Sequence, residues 1–105
     1  MFVVRKHRLH EGLNHISLPL GAEAHTVDRM PDGLYLWYSG PEIAPALENR
    51  IFLVVEEGVA AEDAPAGQIR RYIASGVYRL SEHVFEFVPR VVHTPTGDQL
   101  LGEGR

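Results

Sequence analysis

The stretch Arg50-Ile51-Phe52-Leu53-Val54-Val55 decides the fold of this chain. It is apolar at both odd and even positions, so an extended strand built from it has no polar face and is predicted to be buried on both sides. Similar apolar runs recur on either side of it, and each ends at glycine, proline, aspartate or asparagine. This rhythm predicts an all-β fold, a small antiparallel β-sandwich or partly open barrel of about six to eight short strands. The runs are Phe2–Leu9, Leu13–Leu20, Ala22–Met30, Leu34–Tyr38, Arg50–Val55, Ile69–Ala74 and His83–Val88.

Local sequence features refine this outline. Residues 31–33 read Pro-Asp-Gly, which suits a tight turn, so Ala24–Met30 and Leu34–Ser39 are predicted to pair as a hairpin. Residues 69–75 fit either a strand or a short helix, and the strands on both sides favour a strand. The basic residues 5–8 predict that the first strand lies at a sheet edge, where charge discourages pairing between molecules.

Alternation within the runs predicts which side chains form the apolar core. Successive residues of a strand point to opposite faces of the sheet, so apolar residues two apart share a face. The predicted core residues are Leu18, Leu36, Ile51, Leu53, Val55, Ile73, Phe85 and Phe87.

Length and composition place limits on the organisation of the chain. We expect a single β domain over residues 1–88 and a C-terminal extension over 89–105, either a small hairpin or a flexible tail. The chain has no cysteine, which excludes disulfides, zinc–thiolate sites and thiol nucleophiles. The formal net charge of −4 argues against nucleic acid as a partner. No run approaches the length of a membrane span and the first residues do not read as a signal peptide, so a cytoplasmic protein is expected.

Two aromatic residues form the most plausible binding feature. Tyr35 and Trp37 share one face of a strand, and Arg70, Arg71 and Tyr72 are candidates to lie near them. Such a set stacks a planar anionic ligand or anchors a protein partner. The competing interpretation is that Trp37 simply fills the core.

Histidines provide an alternative, metal-based interpretation. His15, His25 and His83 come from separate strands and would form a metal site only if the fold brought them together. The simpler hypothesis is that the histidines are scattered over the surface. No Gly-x-Ser-x-Gly motif or phosphate-binding loop is present, so no catalytic residue and no cofactor is predicted.

Several short segments stand in a characteristic order between residues 3 and 86: Asn14-His15-Ile16, Leu18-Pro19-Leu20-Gly21-Ala22, Leu36-Trp37, Arg50-Ile51-Phe52-Leu53-Val54-Val55, Tyr72-Ile73-Ala74 and His83-Val84-Phe85-Glu86. In these segments the chain resembles a family of short uncharacterised proteins encoded by bacteriophages and prophages. It departs from the family at Val59, where members carry histidine after glycine, and at Glu82, where they carry tryptophan. The resemblance implies a phage context and a β-rich fold, and it implies no activity.

Three functions are compatible with these observations. The first is a non-enzymatic phage accessory protein that binds a host or phage protein or a small ligand, for example as an inhibitor of a bacterial defence system. The second is a metalloenzyme that uses the histidines, and the third is a structural protein of the capsid or tail. Exposed edge strands also make a homodimer an expectation.

Overall fold

The computed structural model describes residues 1–77 and 81–90, and these form an antiparallel β-sandwich. Within this part of the chain all regular structure is strand, and the two sheets do not close into a barrel, which confirms the predicted all-β class. Residues 69–75 lie within a strand, as favoured above. The strands are β1 (Phe2–Leu9), β2 (Gly12–Pro19), β3 (Glu23–Met30), β4 (Gly33–Pro41), β5 (Leu47–Glu56), β6 (Gln68–Val77) and β7 (Ser81–Pro89).

The strands divide into a three-stranded sheet with the order β1-β4-β3 and a four-stranded sheet with the order β2-β5-β7-β6. The predicted hairpin is confirmed, because β3 and β4 pair from Met30↔Gly33 onward. The chain alternates between the sheets at its start, since β2 belongs to the four-stranded sheet while β1 and β3 are edges of the other. β4 is therefore the central strand of the three-stranded sheet and has a neighbour on each side.

A buried asparagine fixes the corner between β1 and β2. The Asn14 side-chain oxygen accepts from the His10 backbone N–H at 2.8 Å, and its amide nitrogen donates to the His10 carbonyl at 2.8 Å. Burial of this polar side chain is tolerated because both of its ends are hydrogen-bonded. The two sheets are thereby joined through a short and well-braced link.

The main core lies between the sheets and is built from every second residue of each strand. Leu18 and Leu36 belong to it, as predicted, but β5 contributes Phe52 and Val54 rather than Leu53. The sequence could not settle this point, because β5 is apolar on both faces. The other six predicted core residues lie outside this cluster. Leu53 and Phe87 are buried, but on the opposite face of the four-stranded sheet, whereas Ile51, Val55 and Phe85 are only partly buried on that face and Ile73 is partly buried at the margin of the main core.

The outer face of the four-stranded sheet forms a second apolar layer. Leu53 is 1% exposed and Phe87 is 7% exposed there. β5 ends beside the start of β7, and β6 begins beside the end of β7, so the connection 57–67 has to run the length of the sheet. The inner face is occupied by the other sheet, and the connection therefore crosses the outer face. Val59–Ala61 lines a cavity of about 280 Å³ together with Leu53 and Val55.

Two β-bulges lie on neighbouring strands of different sheets. One leaves His25 of β3 without a cross-strand partner, and the other leaves Ile73 of β6 without one. Bulges bend and twist a strand. The two bulged edge strands lie against each other, which closes this side of the sandwich.

A backbone hydrogen bond extends one residue beyond β7, the last strand of the described residues. β7 ends at Pro89, and the Arg90 N–H donates to the Gly67 carbonyl at 2.9 Å. The predicted hairpin or tail lies outside the described residues from position 91 onward. Residues 1–77 and 81–90 form no helix with the length and apolar character needed to cross a bilayer.

Candidate binding face on the three-stranded sheet

Tyr35 and Trp37 lie on the outer face of the three-stranded sheet. Their neighbours in β4, Leu34 and Leu36, are buried in the core, and strand alternation therefore turns the two aromatic side chains outward. Both are half-buried. Trp37 thus does not fill the core between the sheets, and the predicted pairing of the two rings on one face is present.

Lys6 completes this arrangement from the neighbouring strand. It pairs with Trp37 in register, and its Nζ lies 4.8 Å from the centre of the Tyr35 ring and 5.8 Å from that of Trp37. A cation over two ring faces holds them by about 0.5–1 kcal/mol each at an exposed site. We call Lys6, Tyr35 and Trp37 the aromatic face.

Asp32, in the hairpin turn, fixes the edge of the aromatic face. The Tyr35 hydroxyl donates to Asp32 Oδ2 at 2.7 Å. This hydrogen bond lowers the pKa of Asp32, and the nearby Arg8 and Lys6 charges lower it further. The same bond raises the pKa of Tyr35, mainly because its proton is held by a carboxylate. Tyr35 therefore stays a hydrogen-bond donor and Asp32 stays charged across the neutral range.

The cations of β1 differ from Arg50 and Arg71 in the four-stranded sheet. Within the described part of the chain, Arg5, Lys6 and Arg8 have no carboxylate within ion-pair distance, whereas Arg50 and Arg71 are each paired with glutamate. The Arg8 side chain lies across Gly33, where an added Cβ would come within 2.7 Å of its Nε. The absence of a side chain at Gly33 leaves room for this guanidinium beside the aromatic face.

Arg71 has an exposed side chain that reaches a buried carboxylate on the neighbouring strand. Its Nη2 donates to Glu86 Oε1 at 2.7 Å, and Arg50 donates to the same carboxylate through Nε at 2.6 Å and Nη2 at 3.0 Å. Glu86 is 2% exposed. Hydrogen bonding to Glu86 raises the pKa of Arg50. Arg50 also donates to the carbonyl of Ala22. The cluster of Arg50, Arg71 and Glu86 therefore connects β5, β6 and β7 with one another and with the segment before β3.

Arg70 and Tyr72 lie on the outer face of the four-stranded sheet. The Tyr72 ring meets Phe85 edge-on at 5.2 Å, and its hydroxyl lies 3.1 Å from His83 Nδ1. The Arg70 guanidinium lies 5.9 Å from the Phe85 ring centre. The five residues considered from the sequence therefore do not form one site. Tyr35 and Trp37 occupy one outer surface and Arg70 and Tyr72 the opposite one, while Arg71 is paired with the buried Glu86.

The three histidines of the metal interpretation do not converge. His15 and His83 share the outer face of the four-stranded sheet, but they pair with Ile51 and Val55, which lie roughly 13 Å apart along β5. His25 lies on the other sheet. Among the described residues, no group of three or more histidine, aspartate or glutamate side chains is placed to hold a metal ion.

His25 instead contacts a serine. Its Nε2 lies 2.6 Å from Ser39 Oγ, beside a half-open cavity of about 490 Å³ with Phe2 and Pro41 in its wall. Nucleophilic catalysis by serine also needs a group that orients the imidazole. Within residues 1–77 and 81–90, the second ring nitrogen of His25 has no hydrogen-bond partner. The contact accounts for the burial of Ser39.

Sequence reasoning identified the aromatic pair but missed the residues that frame it. Lys6 and Asp32 reach the rings from a neighbouring strand and from a turn, and neither contact follows from spacing alone. The available indication is the basic run at 5–8, but its pattern predicts a charged sheet edge and not contact with the aromatic rings. Searches against models of protein families, against curated proteins and against solved structures find no match to this chain.

Proposed function

We propose that this chain is a non-enzymatic interaction protein that holds a protein partner on the aromatic face. The observation that carries the proposal is that Tyr35 and Trp37 are half-exposed on the central strand of the three-stranded sheet. Lys6 lies over both rings, and among the described residues no carboxylate is within ion-pair distance of it. Tyrosine, tryptophan and arginine are the residues that most often dominate the energy of protein interfaces.

The rigidity of the aromatic face supports binding rather than simple surface exposure. Tyr35 is held by Asp32 and by Lys6, and both rings stand on a strand paired along both edges. Side chains that are already ordered lose little conformational entropy when a partner binds. A partner is therefore offered a preformed surface.

A protein partner suits this surface better than a nucleic acid. Asp28 pairs with Tyr35 on one side and Arg8 pairs with it on the other, so both signs of charge border the same ring. Phosphate-driven binding needs a surface of one sign. The mixture favours a polypeptide with complementary charges around an apolar anchor.

The resemblance to phage proteins supports a specific version of the proposal. A small accessory protein of a phage acts in the cytoplasm of its bacterial host, and a component of a host defence system is the partner class we favour. Inhibition of that component would follow from occupying one of its surfaces. Plaque formation on a defended host should then depend on Tyr35 and Trp37.

Affinity capture from a bacterial host lysate tests the proposal. The native protein is compared with the double variant Tyr35→Ala/Trp37→Ala and with Tyr72→Ala, a control that removes an exposed aromatic from the opposite surface. We expect one or more captured proteins to disappear with the double variant and to persist with the control. Circular dichroism confirms that each variant is folded.

Two results would contradict the proposal. One is that no protein is captured above background. The other is that everything captured is retained by the double variant. Since Trp37 is the chain's single tryptophan, its fluorescence offers a direct check with any purified partner. A partner seated on the aromatic face must change that emission.

A further inference from the structure

β1 leaves one edge of the three-stranded sheet open. It pairs with β4 along its whole length, from Phe2↔Pro41 to Leu9↔Leu34, and within the described residues no strand pairs with its other edge. In an antiparallel pair, alternate residues direct their backbone N–H and C=O groups away from the partner. The eight residues of β1 thus present such groups over roughly 27 Å.

The other edge strands are less suited to accept a strand. β3 and β6 lie against each other on the side where the sheets approach. β2 ends at Pro19, which has no N–H, and its outward residues His15 and Ser17 carry no permanent charge. β1 is therefore the edge at which strand addition meets the fewest obstacles.

Cations border both faces of the open edge. Lys6 and Arg8 lie on the outer face, whereas Arg5 and His7 lie on the same side as the buried Leu9 and are nevertheless exposed. The four-stranded sheet does not cover this part of β1. Side chains of an added strand would therefore lie beside a basic residue of β1 on either face of the sheet. Acidic side chains at these positions would form favourable cross-strand pairs of opposite charge.

These observations identify the occupant. We propose that the open edge of β1 binds an extended acidic segment of a partner protein, which joins the sheet as an additional strand beside the aromatic face. This proposal rests on the proposed function and names the chemistry of its partner. The exposed Phe2 and Val4 at the start of β1 favour apolar residues in the part of the segment that lies beside them.

A second copy of this chain fits the edge poorly. Pairing β1 with β1 of another molecule brings the basic positions 5–8 of both strands together, in either orientation, and like charges across a strand pair are destabilising. Charge therefore opposes the homodimer that an open edge alone would suggest.

A synthetic peptide provides the test. The probe has the length of β1 and is acetylated and amidated. Its first half alternates glutamate with threonine, and its second half alternates valine with threonine. When the probe pairs antiparallel to β1, its glutamates lie beside Arg5–Arg8. Binding is followed by amide chemical shifts of the full chain. We expect shifts concentrated on β1 and β4, and binding that weakens as salt is added.

Two N-methylated versions of the probe separate strand addition from charge attraction. One version is methylated at the backbone nitrogens of its odd-numbered residues, and the other at those of its even-numbered residues. Only one set faces β1 in an added strand, so we expect one version to lose binding and the other to keep it. Equal binding by both versions would overturn the proposal.

Charge variants complete the design. Arg5→Glu/Arg8→Glu is expected to weaken the acidic probe about tenfold, as is replacing the probe's glutamates by lysine. Arg70→Glu, at an exposed site of the other sheet, should change the affinity less than about twofold. No binding at about 1 mM probe, or shifts centred on β2 or β6, contradicts the proposal. A homodimer of this chain, detected by sedimentation and formed through β1, would also contradict the proposal.

The outcomes separate this proposal from the proposed function. If the probe fails while capture of a host protein still requires Tyr35 and Trp37, strand addition is wrong and the aromatic face remains the binding surface. If the probe binds β1 but no protein is captured, the proposed function fails while the chemistry of the edge stands.

Discussion

The cluster around the buried Glu86 and the aromatic face hold their charged side chains in opposite ways. The four-stranded sheet encloses Glu86 between Arg50 and Arg71 and hides Leu53 beneath the 57–67 connection. The three-stranded sheet leaves the cations of β1 without carboxylates at ion-pair distance among the described residues, and its two central aromatic side chains remain half-exposed. We therefore expect substitutions in the Glu86 cluster to cost more stability than substitutions at the aromatic face, where we propose that a partner binds.

The largest expected effect comes from removing the buried carboxylate. Glu86→Ala leaves Arg50 in the interior without its main counter-charge, and we expect the free energy of unfolding to fall by about 3–5 kcal/mol. Urea denaturation measures this loss. Glu57→Ala, at an exposed position, is the control and should change stability by less than about 0.5 kcal/mol. A loss as small as the control's would show that the cluster does not stabilise the sheet.

The second prediction concerns the apolar layer under the connection. Leu53→Ala should cost about 2–5 kcal/mol, because the side chain is enclosed although it points away from the main core. Leu13→Ala is a matched control, since Leu13 pairs with Leu53 on the same face but is 42% exposed. Urea denaturation of both variants decides the point. Equal losses at the two positions would mean that the 57–67 connection does not cover Leu53.

A smaller effect is expected at the aromatic face. Lys6→Met keeps the aliphatic stem but removes the charge over the rings, and stability should fall by about 1 kcal/mol or less. The emission of Trp37 should shift because its environment changes. Thermal unfolding and fluorescence measure the two effects. A loss as large as that of Leu53→Ala would remove the contrast between the sheets.

The smallest effect is the titration of Asp32. Its pKa lies below the ordinary value of 3.8 because Tyr35 donates to it and Arg8 and Lys6 are near. A lowered carboxyl pKa stabilises the fold above the pKa of the unfolded chain, and that contribution disappears as the pH falls through the folded value. In Tyr35→Phe, the Asp32 titration followed by NMR should move upward toward 3.8. An unchanged midpoint would show that the hydrogen bond is absent in solution.

The sequence predicted the fold class because strand formation depends on local alternation and on turn residues. The Pro-Asp-Gly turn at 31–33 specified the β3–β4 hairpin correctly. The alternation around Leu36 also placed Tyr35 and Trp37 together on one face. These features depend on neighbouring residues, which is why they can be read without the structure.

The features that were missed depend on contacts between distant parts of the chain. Arg50 and Glu86 form an ion pair between two neighbouring strands, and the local sequence around each residue does not indicate its partner. The face of β5 that joins the main core was undetermined because both faces are apolar, and burial of Leu53 depends on a connection whose path the sequence does not give. Phage origin, the partner and the absence of catalysis remain predictions.

Lys6 has a practical consequence, because it is the chain's single lysine. Within residues 1–105, reagents that acylate side-chain amines can react only at this ε-amino group. Coupling the protein to a resin or dye through amines would therefore modify the surface that we assign to the partner. Reductive methylation retains the charge, whereas acetylation removes it. The pair of treatments would report on this one cation without any mutation.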